Sequence, residues 1–162
     1  MEVDPFTPVI VRFLPDSEYV NSGLAGGEYV GYYINVPKDS ETKYPLKGKP
    51  DENNTEYKSE LKLTRAIDTY CPEGFFDPDY MLVKLKEFYV HKCKEKTFPA
   101  VRVTGEMEWA LEDFPGTEKL MLYESKVNDL LNDYPVTAIC QYDASKFDAL
   151  TIMECMKVHP YI

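Results

Sequence analysis

The sequence lacks any C-x-x-C pair: Cys71, Cys93, Cys140 and Cys155 are widely spaced, and His91 and His159 are the only histidines. That spacing encodes neither a zinc ribbon nor a redox dithiol, so the cysteines read as reduced thiols. Positive charge is also short. Lys and Arg number 18 against 28 Asp and Glu, a formal net charge of −10, which repels phosphate backbones and anionic lipid surfaces and argues against direct nucleic-acid partners. No window approaches the roughly eighteen apolar residues of a membrane span. The opening MEVDPFTPVIVRF carries acids and prolines ahead of a very short apolar run, unlike an export signal. The expected compartment is the cytoplasm, where the N-x-T sequence at Asn53 has no glycosylation meaning.

Catalytic signatures are missing as well. No stretch matches G-x-x-x-x-G-K-[ST], and the nearest glycine-rich run, GLAGGEYVG from Gly23, places Glu28 where a cation would meet phosphate. There is no nucleophile elbow and no Ser/His/Asp order. The chain is therefore read as a binding protein, not an enzyme, with no cofactor implied.

What is present is a core. A hydrophobic fraction of 44%, with 13 Tyr and 8 Phe in 162 residues, suits one folded domain spanning residues 1–162. Residues 9–14 (VIVRFL) form a β-branched run, a brief helix is expected from Asp16 to Leu24, and EYVGYYINV from Glu28 to Val36 reads as a strand. Residues 38–59 are polar, with Pro45, Gly48 and Pro50, and are expected to be a mobile surface connection. Leu61–Tyr70 alternates as a strand near a sheet edge. Asp77 before Pro78 is an N-cap signature, and Met81, Leu85, Phe88, Tyr89 and Cys93 recur at helical spacing through Lys96. After Pro99 come the strand AVRVTGEM, a short helical segment EWALEDF, a helix over Thr117–Tyr134, the strand VTAICQY and a last helix capped by Asp148. Strands alternating with helices require crossovers. The expected fold is therefore α/β, three-layer, with a mostly parallel sheet.

In such a sheet, ligands settle outside the strand C-termini, which directs attention to the residues ending the two apolar strands. Glu106, Gln141 and Asp143 are expected to face one cleft. Glu106 is either a pocket carboxylate or a cap for the short helix after it. Met107 and Trp109 supply polarizable walls, unless they are core. Arg102, inside a strand, needs a partner, with Glu124 or Glu106 the expected ones. Glu124 and Asn128 share a helix face, either turned to the pocket or solvated. Cys140 and Tyr142 lie on the strand face opposite Gln141 and Asp143, and Asp143 has an alternative role as a turn cap. The candidate ligand-binding set is Arg102, Glu106, Met107, Trp109, Glu124, Gln141, Tyr142 and Asp143. A metal site from Glu106, Cys140 and His159 is conceivable, but no ligand spacing supports it, and none is assigned. His159 sits where a helix dipole favours imidazolium.

The ordered motifs FFDPDYM, VRVTGEMEWAL, YESKVNDLL, VTAICQYDASKFD and HPYI, over about residues 70–162, with SGLAGGEYVGYYI ahead of them, resemble the MEDS domain, a sensory module named from methanogens and methylotrophs. The resemblance implies a RecA/KaiC-like fold whose phosphate (Walker A) loop has degenerated, beside a histidine kinase or DNA-binding output. It also implies sensing of small molecules such as methylated or halogenated one-carbon compounds or other hydrocarbon derivatives. Family members carry a His and an aromatic residue in an H-x-C-x-x-Y-like opening segment; the corresponding TPVIVRFL has no His, so no ligand role is carried over to it. No kinase or helix-turn-helix sequence occurs up to Ile162, leaving an output domain elsewhere or a stand-alone receiver. Two other classes stay open: a degenerate RecA-like domain that kept its nucleotide, and an interaction module that dimerises through exposed aromatics.

Overall fold

The computed structural model describes residues 10–12, 17–37, 60–95 and 98–159. The expectation of a mobile connection over residues 38–59 lies outside them. Among the described residues, five strands form one sheet: β1 (Ile10–Arg12), β2 (Tyr29–Ile34), β3 (Glu60–Arg65), β4 (Val101–Glu106) and β5 (Val136–Gln141), in the order β1-β5-β4-β2-β3. Every pairing is parallel. The α/β class and the parallel sheet are as expected, and the layers are three.

One outer layer is α1 (Ser17–Ala25), whose Val20 packs on Val30, Tyr32 and Ile34 of β2. The opposite layer holds α2 (Ala66–Tyr70), α3 (Pro78–Val90), α4 (Leu120–Leu131) and α5 (Ala149–Val158). Their Tyr70, Met81, Leu85, Tyr89, Tyr123, Val127 and Cys155 pack with Tyr29, Val101, Val103, Val136, Ala138 and Cys140 of the sheet. The central strands are buried on both faces, which explains why they read as near-continuous apolar runs. The edge strand β3 alternates exposed Glu60 and Lys62 with less exposed neighbours.

Neighbouring strands β2 and β4 send the chain in opposite directions along the sheet, β2 onward to β3 and β4 onward to β5. The β1-to-β2 connection carries α1 on one face. The β3-to-β4 and β4-to-β5 connections, which run the other way, carry α2, α3 and α4 on the other face. A single crossover hand requires this. A topological switch point therefore lies between the C-terminal ends of β2 and β4.

Local chemistry accounts for the element ends. Asp77 Oδ1 accepts from the backbone N–H of Asp79 (3.0 Å) and Tyr80 (3.2 Å), and Pro78 opens α3. In the same way Asp148 accepts from Thr151 N at the start of α5. Three expectations need correction. The strand expected over Leu61–Tyr70 ends at Arg65, and Ala66–Tyr70 is helical: Ala66 and Tyr70, four apart, are both buried, and Arg65 Nε donates to Asp68 in the first turn. The helix expected through Lys96 is α-helical only to Val90 and continues as a π-helical turn, His91–Glu95; Lys96 lies outside the described residues. Thr117–Lys119 is a 3₁₀ turn leading into α4, which ends at Leu131, short of Tyr134. Close approach of α1 to the sheet depends on Gly23, where a Cβ would lie 2.9 Å from Arg102 Cδ and Nε.

Candidate functional site

At the switch point, β4 ends in Glu106, a half-buried carboxylate whose two oxygens are held by different groups. Tyr32 Oη donates to Oε1 (3.0 Å) and the backbone N–H of Asn35 to Oε2 (2.6 Å). Glu106 thus bridges β4 to the end of β2 and does not cap the short 3₁₀ helix Met107–Leu111, which has no side-chain cap bond. Burial raises its pKa, while the bonds from Asn35 and Tyr32 oppose the rise. Gln141 is the register partner of Glu106 across β4 and β5, and its Nε2 donates to Thr104 Oγ1 (2.6 Å) on the same face. The strand-end reading therefore brings Glu106 and Gln141 together. Tyr32, Asn35 and Thr104 complete the constellation; the pairing register that recruits them is not readable from one strand at a time.

The other candidate residues separate from this pair. Arg102 faces α1, as β4 alternation requires, but its partner is neither Glu106 nor Glu124. Nε and Nη2 donate to the two oxygens of Glu28 (2.8 and 2.9 Å), and Nη1 donates to Tyr19 O (3.0 Å). Glu28, which sequence reading placed in a failed phosphate loop, is an ion-pair partner. Asp143 takes its alternative role as a turn cap, accepting from Ser145 N and Oγ.

Met107, Trp109, Glu124 and Tyr142 lie with the opposite, helical layer and are all fully buried. Trp109 stacks on Tyr70 (centroids 4.5 Å apart, planes 11° apart) and leans on Phe76 (4.9 Å). Glu124 overturns the solvated-stripe alternative. From α4 its carboxylate reaches into the core, where Tyr142 Oη donates to Oε1 (2.6 Å) and Cys140 Sγ to Oε2 (3.4 Å). His159, just past α5, brings Nε2 within 3.6 Å of Glu124 Oε2. Burial pushes the Glu124 carboxyl up to about 7 and His159 down to about 4, and raises Cys140 well above the usual thiol range. The imidazolium expected from the helix dipole is thus overridden by desolvation. One cleft lined by all eight candidates does not form, because strand alternation divides Glu106 and Gln141 from Tyr142, and the helix partners Glu124 and Trp109 go with the latter.

A different hollow lies on the helical face, beside β3. A groove of about 300 Å³ runs between β2, β3, α2 and α3, walled by Tyr29, Tyr33, Tyr80 and Phe88 with polar Lys62 and Asp68. It exists because the five-residue α2 leaves the inner face of β3 partly uncovered. Sequence reading missed it: tyrosines on β2 were visible, but not the gap beside them.

Comparison with known proteins shows the family. The profile of the MEDS family (MEthanogen/methylotroph, DcmR Sensory domain) matches residues 17–160. The transcriptional repressor DcmR of Methylorubrum extorquens (strain DSM 6343 / CIP 106787 / DM4) is 31% identical over 80 residues, covering 49% of this chain and 30% of the repressor. The chain thus spans less than a third of that relative in the matched region. No solved structure matches significantly. No helix among the described residues is long and apolar enough to cross a membrane. With a family match over nearly its whole length and a sheet of the expected kind, the chain belongs to the MEDS family of sensory domains.

Proposed function

We propose that this domain is the small-molecule input of a cytoplasmic signalling protein, that it binds its ligand without transforming it, and that the ligand lies in the groove over β2 and β3. The carrying observation is the groove itself. Its volume is at the lower end of the range typical of small-molecule sites, and its lining mixes aromatic walls with a few polar groups, as such sites do. The relative that is a transcriptional repressor supports a DNA-binding output over a kinase.

Ligand size follows from energetics. A one-carbon compound of about three heavy atoms gains at most roughly 1.5 kcal/mol per atom, about 4–5 kcal/mol, or a Kd near 1 mM. The groove has room for larger hydrocarbon derivatives, which reach tighter binding. Occupancy favouring one placement of α2 and α3 against the sheet would bias the output by population shift.

A second reading is favoured by the switch point, where Glu106 and Gln141 meet at the strand ends that bind ligands in open α/β sheets. Gly31→Val distinguishes the two. A Cβ at Gly31, which lines the groove, meets only ordinary contacts, at 3.5 Å and beyond, so a side chain can start there without a backbone clash and take up groove space. Thermal-shift screening against methylated amines, thiols, methanol, chloromethanes and longer alcohols and amines should find a stabilising ligand. Its effect should vanish in Gly31→Val and persist in Glu106→Gln. The reverse pattern moves the site to the strand ends, and no stabilisation of the wild type by any of them overturns the sensing reading.

A further inference from the structure

We infer that Glu124, Cys140 and His159 form a binding site for one divalent cation of the zinc class, buried between α4, β5 and the end of α5. The three side chains offer a carboxylate oxygen, a sulfur and an imidazole nitrogen, with all ligand atoms within 4.8 Å of one another. None of the three lines the groove assigned to the small molecule, so this inference is independent of that one.

Geometry supports the assignment first. With zinc–ligand distances of about 2.3 Å to sulfur and 2.0–2.2 Å to nitrogen or oxygen, the edges of a tetrahedral site are about 3.4–3.6 Å. The carboxylate already lies 3.4 Å from Cys140 Sγ and 3.6 Å from His159 Nε2. Two of the three edges thus have tetrahedral length, and the sulfur–imidazole edge, within 4.8 Å, has to close by no more than about 1.3 Å to seat an ion.

The second observation is an unmet need. His159 is buried, yet among the described residues neither Nδ1 nor Nε2 has a hydrogen-bond partner. An orphaned buried imidazole costs stability, and coordination by one nitrogen removes half of the deficit. Charge balance points the same way. A divalent cation that displaces one proton from Cys140 and one from Glu124 leaves a centre with no net charge, the form a low-dielectric interior tolerates.

The surroundings fix the ligands. Tyr142 Oη donates to the carboxylate oxygen Oε1 (2.6 Å), and Asn128 Nδ2 donates to Val158 O (2.6 Å), tying α4 to the residue before His159. Three protein ligands leave a fourth position, as in sites that bind water or an exogenous ligand. Tyr142 is a positioning residue for Glu124.

The test is titration of chelator-stripped full chain with cobalt(II) and zinc(II). We expect one ion per chain, tetrahedral visible bands and a thiolate-to-cobalt charge-transfer band in the wild type. Zinc should raise the thermal midpoint. Cys140→Ala should abolish the charge-transfer band, and Glu124→Gln and His159→Gln should each weaken zinc binding by more than about 100-fold, beyond the 10- to 100-fold loss expected of Tyr142→Phe. Cys155→Ser and Cys93→Ser should keep the band. A wild-type cobalt spectrum without thiolate character, or one that Cys140→Ala leaves intact, overturns the site; the wild-type spectrum needs no variant to fold.

Discussion

The buried pair Glu124 and His159 predicts an opposed pH dependence of stability in metal-free protein. Glu124 titrates near 7 when folded against an ordinary 4.5, so folding favours its protonated form; the stability it contributes is complete below about pH 4.5 and is lost as pH rises through about 7. His159 titrates near 4 against 6.5, so folding favours its neutral form; its contribution is complete above about pH 6.5 and is lost as pH falls toward 4. Each shift of about 2.5 units corresponds to about 3 kcal/mol, and between pH 4.5 and 6.5 the two slopes nearly cancel. Glu124→Gln removes one slope and preserves an acceptor for Tyr142 Oη. Its stability should fall by about 3 kcal/mol from pH 6.5 to 4.5 relative to wild type, while at pH 8 it should exceed wild type by a similar amount. His159→Gln should do the opposite, losing stability from pH 5 to 8. Urea unfolding at half-unit pH intervals in the presence of a chelator gives these profiles. Parallel curves for wild type and Glu124→Gln would show that the carboxyl is not desolvated as described.

Three further outcomes test the scaffold. Arg102→Ala strands the carboxylate of Glu28, which is only 16% exposed, and should destabilise by about 3 kcal/mol, with Arg102→Met/Glu28→Leu less damaging than the sum of the single changes in a double-mutant cycle. Asp77→Ala removes the cap accepting from two amides of α3 and should lower stability by about 1 kcal/mol in the same unfolding assay. Trp109→Ala should lose about 3–5 kcal/mol by leaving a cavity against Tyr70 and Phe76. Trp109→Phe should lose less, because Nε1 has no hydrogen-bond partner among the described residues to forfeit.

The division of labour between sequence and tertiary structure can be followed residue by residue. Element type was legible wherever one local rule acted alone: Asp77 with Pro78 and Asp148 mark helix starts by satisfying free amides, and the apolar runs around Val103 and Ala138 mark strands covered on both faces. Local periodicity failed where two rules met, as at Arg65–Ala66, where strand alternation passes into a helical spacing of four. The placement of Gln141 on one face of β5 and of Cys140 and Tyr142 on the other follows from period-two alternation and was readable in advance, whereas the β4–β5 register puts Glu106 beside Gln141.

Partnership was not. Arg102 needs a carboxylate by any reading of its burial, yet only the placement of α1 and the start of β2 selects Glu28 over Glu106 and Glu124. Glu124, on a helix with a plausible wet side, becomes a core residue because α4 lies over β5 and α5 closes the far side with His159. Composition, charge and motif order thus determined the class of the chain, since these depend on interactions between near neighbours. The pairing of distant side chains, the groove left by the short α2 and the Glu124–Cys140–His159 cluster were decided by packing, which brings residues 16 to 35 positions apart to within 4.8 Å for reasons no local window contains.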